Sequence, residues 1–256
     1  PVEAERPFER RAVALDSETT SWFGVPVFVP HDETHSLTDV PLTLEHDELT
    51  GKLTMVVGGP ETTTLLCLAK YAEQARALVS IPWASLTELT PVKTLGLQGL
   101  GIVDIKLTPQ SNVPFTIVGV GPVVANAQAC AYRSVLPAYA ALCRAILTTC
   151  QNTATTHATS RHQGGGLLNR LPQILGSLSL IERSHWLSKQ LEQTLLSDPL
   201  APLSLLVALR QAVLQATDAG IQILGGAGYV VGSGQERLWR DARQVAALFG
   251  TNLGLV

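Results

Sequence analysis

The sequence predicts an α+β protein, an antiparallel β-barrel or sandwich followed by an antiparallel four-helix bundle, on three observations. Up to about residue 122, short apolar or β-branched runs alternate with Pro, Gly and Asp, which is the grammar of strands and turns. From there on the chain is built of long Ala- and Leu-rich segments with few strand signals. A length of 256 residues also allows one large or two modest domains with a buried core, without disulfide or metal staples. The expected domains are residues 1–122 and 123–256.

In order, the strand signals are Val25 to Val29, Leu53 to Val57, Thr64 to Ala69, Ala77 to Ile81, Gly101 to Leu107 and Phe115 to Val118. No long helix separates them, so the sheet is expected to be antiparallel and not a parallel βαβ arrangement. The first helical signal, from about Val123 to Arg161, is one helix or two broken at Pro137. A second runs from about Leu167 to Leu196, with Pro172 in its early turns. The third starts after Ser197-Asp198-Pro199, with Asp198 placed as N-cap and Pro199 at the first helical position, and stops at Gly225-Gly226. Its apolar stripe is Leu206, Leu209, Val213, Ala216, Gly220 and Ile223. The fourth carries Leu238, Ala242, Val245 and Phe249 at similar spacing. Short connections between four such helices make an antiparallel bundle.

A formal net charge of −3 with few charged residues argues against a nucleic-acid surface. The most apolar helical stretch, Val123 to Cys150, is interrupted by Arg133, Pro137 and Arg144 and makes a poor membrane span. Such an apolar chain is expected to hide surface in an oligomer. Cys67, Cys130, Cys143 and Cys150 form no CxxC pair, which suits buried free thiols in a reducing, cytoplasmic compartment. His31-Asp32-Glu33-Thr34-His35 has its glutamate in the wrong place for HExxH, and no metal site is expected. Gly232-Ser233-Gly234 lacks the nucleophile-elbow spacing and reads as a hinge between helices.

The segment with chemical content is Gln222-Ile223-Leu224-Gly225-Gly226-Ala227-Gly228-Tyr229 followed by Glu236-Arg237-Leu238-Trp239-Arg240-Asp241-Ala242-Arg243. Glycines in such a turn let another backbone or a pyrophosphate approach closely. The whole string resembles the C-terminal signature of acyl-CoA dehydrogenases. Three weaker echoes precede it in the expected order. Leu95-Gly96-Leu97-Gln98-Gly99 leading into Val103-Asp104-Ile105 is similar to a strand pair late in that family's β domain. Leu49-Thr50-Gly51-Lys52-Leu53-Thr54 resembles the start of its flavin-facing strand. Arg161, with Gln173 downstream, resembles the arginine and glutamine that open its second bundle. The resemblance implies FAD shared with a neighbouring subunit, its ADP part held by Arg161, Gln173, Gln222, Gly225, Gly226, Gly228 and Thr251. It also implies homologous dehydrogenase subunits as partners and an acyl-CoA or other acyl thioester as substrate.

The departures matter as much. Abstraction of an α-proton needs a carboxylate near the acyl thioester. The family's usual glutamate precedes a Gly-Thr pair; here Phe249 precedes Gly250-Thr251, so no catalytic residue is assigned. The alternative glutamate position falls at Ser134-Val135-Leu136, which offers no acid. The flavin-facing Trp-Ile-Thr-Asn of the family becomes Met55-Val56-Val57-Gly58, and its Thr-Glu-Pro-Gly loop is matched only by Asp16-Ser17-Glu18-Thr19-Thr20. Arg161-His162-Gln163-Gly164-Gly165 lacks the phenylalanine that follows the arginine, and the family's N-terminal helical domain is expected to be missing. These features imply a non-catalytic or half-site subunit of an FAD-dependent acyl-CoA dehydrogenase that helps to form the flavin pocket. Two other readings fit the same residues: an active homo-oligomeric flavoenzyme with a different base or acyl carrier, and a structural or ligand-binding homologue without flavin.

Overall fold

The computed structural model describes residues 42–58, 62–71, 75–197 and 204–248. The described chain forms two compact units. One holds the residues up to Lys93 together with Gln98–Tyr132, and the other holds Thr94–Leu97 together with the residues from Arg133 onward.

The first unit is a seven-stranded sheet. Its strands are β1 (Leu42–Glu45), β2 (Glu48–Val57), β3 (Thr64–Tyr71), β4 (Ala75–Pro82), β5 (Leu89–Pro91), β6 (Ile102–Leu107) and β7 (Thr116–Val120). They lie in the order β5-β6-β2-β1-β3-β4-β7. All neighbouring pairs are antiparallel except β1 and β3, and among the described residues the sheet is open, with β5 and β7 as edges. The sheet is therefore mixed, and it does not close into a barrel. The α+β class stands.

Alternation builds its core. Leu65, Cys67 and Ala69 of β3 and Ala77, Val79 and Ile81 of β4 face one side. Leu68 and Leu78 face the other, against Val118 and Val124. Strand β2 breaks this period, since Leu53 and Val56 are three apart yet both buried. The pairing of β2 with β6 shifts register between those two residues, and the irregularity resets which side chains point inward. The β1–β2 hairpin turns through His46 and Asp47, both at positive φ, the twist that a two-residue hairpin needs.

The helical unit comprises most of α1 (Pro122–Ser160), then a two-strand hairpin of β8 (His162–Gln163) and β9 (Gly166–Leu167), α2 (Pro172–Ser197), α3 (Ser204–Leu224) and α4 (Gly234–Leu248). Pro137 does not divide α1, which continues through it although the ring removes one amide donor. Helix α2 starts at Pro172, later than the periodicity suggests, because the preset φ of proline suits the first helical position. Helix α3 stops where Gly225 takes a left-handed φ of 57°. Ser233 Oγ accepts the Glu236 amide at 3.2 Å and caps α4, so the Gly232-Ser233-Gly234 stretch is a helix start.

The core of this unit joins Cys143, Leu147, Cys150 and Ala154 of α1, Ile181 of α2, Leu209, Val213, Ala216 and Ile223 of α3, and Ala242 and Val245 of α4. Of the α3 and α4 stripes read from sequence, Leu209, Val213, Ala216, Ile223, Ala242 and Val245 are buried here and Leu238 is partly buried against them. Gly220 lies in the same α3 stripe for a packing reason: a Cβ there would fall 2.1 Å from Gln235 Nε2 and 2.8 Å from Cys150 Sγ. Val25–Val29, His31–His35, Asp198, Pro199, Phe249 and Thr251 lie outside the described residues.

Candidate functional site

The helical unit contains a cleft of about 410 Å³ whose walls come from four places in the chain. Arg161 and Gln163 are contributed by the end of α1 and β8. Leu168 and Leu171 follow from the single turn after β9, and Gln173 and Ile174 from the first turn of α2. Gln222, Ile223 and Leu224 close α3, and Gly225, Gly226 and Ala227 form the turn beyond it. Apolar side chains therefore sit beside three glutamines and an arginine. Five of the seven cofactor residues expected from sequence come together here: Arg161, Gln173, Gln222, Gly225 and Gly226.

Local structure explains how the walls are aimed. The Leu168 amide donates to the Arg161 carbonyl at 2.8 Å and pins the hairpin's base. Gly164 and Gly165, at φ 62° and 85°, supply the positive dihedrals of its two-residue turn. Gln222 Nε2 donates to the Tyr229 hydroxyl at 2.8 Å, which fixes the amide at the cleft wall. No described residue offers a hydrogen bond or ion pair to the Arg161 guanidinium. A Cβ placed on Gly225 or Gly226 would meet nothing within 4 Å.

The glycines of the turn are not equivalent. Gly228 is buried, and a Cβ there would lie 2.7 Å from the Ile221 carbonyl oxygen. It packs the turn against α3 and is not part of the cleft wall. Gly226 is the converse case, open toward the cleft and free of any internal need to be glycine.

The Glu236–Arg243 part of the signature has its own structure. Arg240 Nε donates to Glu236 at 2.5 Å and its NH1 to the Leu95 carbonyl at 2.6 Å, while Asp241 Oδ1 accepts the Leu97 amide at 2.6 Å. Between these anchors a Cβ on Gly96 would sit 2.2 Å from the Arg240 carbonyl oxygen. Thr94 Oγ1 closes the loop by donating to the Gly96 carbonyl at 2.6 Å. Arg243 stacks on Trp239 at 4.5 Å and pairs with Asp218, which also accepts the Trp239 indole N–H. The Arg240 hydrogen bond holds the Glu236 carboxyl below its ordinary value. These charges are consumed within the unit. They clamp Thr94–Leu97 onto α4, and of the strand pair expected from Leu95 to Ile105 only residues 102–107 are a strand.

Burial, and then the Arg161 charge, lower the pKa of His157, whose Nε2 is buried with no hydrogen-bond partner. Burial raises Cys67 and Cys143 to about 12 and Cys150 to about 11, which leaves all three as inert thiols. Among the described residues no group of three or more His, Cys, Asp or Glu could hold a metal ion, and no helix is long and apolar enough to cross a membrane. The Trp83 ring lies so close to Gly58 that a Cβ there would be 2.0 Å from it.

A mixed β unit followed by a helical bundle is the acyl-CoA dehydrogenase-like fold. No family model matches the chain, and no curated protein matches it. Solved structures do. Butyryl-CoA dehydrogenase from Megasphaera elsdenii is 17% identical, with a TM-score of 0.62 over 84% of this chain and 60% of that one. The prolyl acyl carrier protein oxidase AnaB is 18% identical, with a TM-score of 0.65 over 83% of this chain and 60% of that one. An acyl-CoA dehydrogenase complexed with FAD from Bacillus anthracis is 17% identical, with a TM-score of 0.61 over 82% of this chain and 42% of that one. The chain thus spans less than two thirds of the length of the structures it resembles.

Proposed function

We propose that this chain is a subunit of an FAD-dependent acyl-CoA dehydrogenase that helps to form the flavin pocket of a neighbouring homologous subunit and supplies no catalytic base. The carrying observation is the cleft. An uncommitted guanidinium and two glycines open to the space suit a pyrophosphate, and the glutamine amides beside an apolar floor suit a planar nucleobase. Arg161 would hold a phosphate, Gln222 and Gln173 would hydrogen-bond the nucleotide, and Gly225-Gly226 would let the diphosphate approach the backbone. FAD, when bound, supplies the hydride acceptor for α,β-desaturation of an acyl thioester. The similarity to acyl-CoA dehydrogenases, one of them an FAD complex, supports this assignment, as does Phe249 at the expected carboxylate position.

The experiment is co-expression with each dehydrogenase-like chain encoded beside it, followed by flavin absorbance of the purified complex and of the isolated chain. The proposal expects flavin in the complex, and no bleaching by acyl-CoA of the isolated chain mixed with FAD. Arg161→Ala should cut flavin affinity about tenfold to a hundredfold, the loss of one charge-assisted hydrogen bond. Bleaching by the isolated chain, or unchanged flavin affinity in Arg161→Ala, contradicts the proposal.

A further inference from the structure

Behind the cleft's arginine stands a histidine whose ring is left without a partner. The Arg161 amide donates to the His157 carbonyl at 3.0 Å, the bond of one more helical turn, so the two residues share a face with their Cβ atoms about 6 Å apart. His157 Nε2 is buried and has no hydrogen-bond partner among the described residues. His185 is the contrast, with its ring nitrogens 3.0 Å from Thr148 Oγ1 and 2.5 Å from Gln151 Oε1. Partners fix the proton count of such a ring, whereas that of His157 is left to burial and to nearby charge. The charge that acts on it is Arg161, which lines the cleft. On the other elements of the unit, His162 of β8, Arg170 of the turn after β9, and Glu182 and Arg183 of α2 are exposed, while Asp218 of α3 pairs with Arg243 and Glu236 of α4 with Arg240.

We infer that His157 is the proton-binding partner of the cleft: a diphosphate ester held against Arg161 draws a proton onto the ring, and the protonated ring tightens the hold on the diphosphate. The inference rests on the reading of the cleft as a nucleotide site given above. Without an anion, the guanidinium acts on the ring alone and opposes a second positive charge. A diphosphate diester brings two negative charges against that one positive charge, so the field at the ring changes sign. Linkage makes the effect reciprocal: the factor by which the anion raises the ring's proton affinity is the factor by which the proton raises the anion's affinity. Two charges at about 8 Å in a water-like medium at low salt make that factor about threefold. Because the ring titrates below its ordinary 6.5 in the fold, the tightening develops as pH falls below that value.

The test titrates the full chain with ADP-ribose, whose diphosphate is a diester. A phosphate monoester takes up a proton near about pH 6, but the diester does not, so any dependence of its binding between about pH 5 and about pH 8 belongs to the protein. Two readouts are recorded, the NMR midpoint of the His157 ring with and without ADP-ribose, and the affinity for ADP-ribose across that range. Saturation is expected to raise the His157 midpoint by about 0.5 in pH, and affinity is expected to be about threefold tighter at the acid end, both shrinking with added salt. His157→Gln should bind with an affinity that no longer depends on pH, while His162→Gln should keep the dependence; circular dichroism is the folding control. The wild-type midpoint decides the first readout even if His157→Gln folds poorly. A midpoint that ADP-ribose leaves in place, with affinity the same across the range, overturns the inference and leaves the nucleotide site standing. A pH dependence lost in His162→Gln but kept in His157→Gln assigns the proton to the wrong histidine and overturns it too. No binding of ADP-ribose at any pH overturns it together with the reading of the cleft.

Discussion

The two halves of the C-terminal signature, Gln222–Tyr229 and Glu236–Arg243, stand close in sequence but do opposite physical work. The first opens onto a cleft: a Cβ on Gly226 would meet nothing within 4 Å, and Arg161, which lines the same cleft, has no hydrogen-bond or ion-pair partner among the described residues. In the second nearly every charge is spent inside the unit, on Leu95, Leu97, Asp218 and Glu236. Unspent polar groups beside open glycine mark a place for something else, whereas satisfied ones mark a joint. A motif match alone does not separate the two.

That contrast can be broken most sharply at glycine. Gly96→Val should destabilise the protein by about 3 kcal/mol or more, since its Cβ would collide with the Arg240 backbone, which has no flexible end to yield. Denaturant unfolding of the variant measures this; a midpoint close to wild type would mean that the clamp is loose. A smaller loss, about 1–3 kcal/mol, is expected for Asp241→Ala, which strands the Leu97 amide, with faster hydrogen exchange at that amide. Asp241→Asn keeps an acceptor oxygen and should lose less. If Asp241→Ala leaves exchange at Leu97 unchanged, the strap is held by something other than this carboxylate.

The smallest expected effect is electrostatic. His157 has its pKa lowered in the fold, so the neutral ring is favoured. Its contribution to stability is present above the unfolded value of 6.5 and is lost as pH falls through the folded value. Arg161→Ala removes one of the two causes, and the His157 midpoint, followed by NMR, should rise. A midpoint that stays in place would show that burial alone sets it.

Much of this architecture was legible because it is periodic. Thr64–Ala69 and Ala77–Ile81 alternate cleanly, and the α3 and α4 stripes repeat at helical spacing over several turns. β1 and β5 were missed because four and three residues carry too little pattern, and β5 ends in a proline. The β8–β9 hairpin was hidden by its composition, three consecutive glycines with no β-branched residue, although Gly164-Gly165 is the dipeptide that such a turn requires. At the cleft, polar residues and glycines could be picked out by resemblance, but Leu168, Leu171 and Gln163 could not, since their place depends on where the hairpin folds back. Gly226 and Gly228 look alike in sequence; only the atoms around each decide that one is open and the other packed.

The central claim is that the open half of the signature receives a nucleotide and not another part of this chain. The most direct measurement is the ratio of FAD to protein in the purified complex for Gly226→Val, with thermal unfolding recorded on the same sample. The account predicts flavin lost and a melting curve like that of flavin-free wild type, because the added Cβ meets nothing within 4 Å among the described residues and fills the space where a diphosphate would approach. A folded Gly226→Val complex with full flavin occupancy would contradict it.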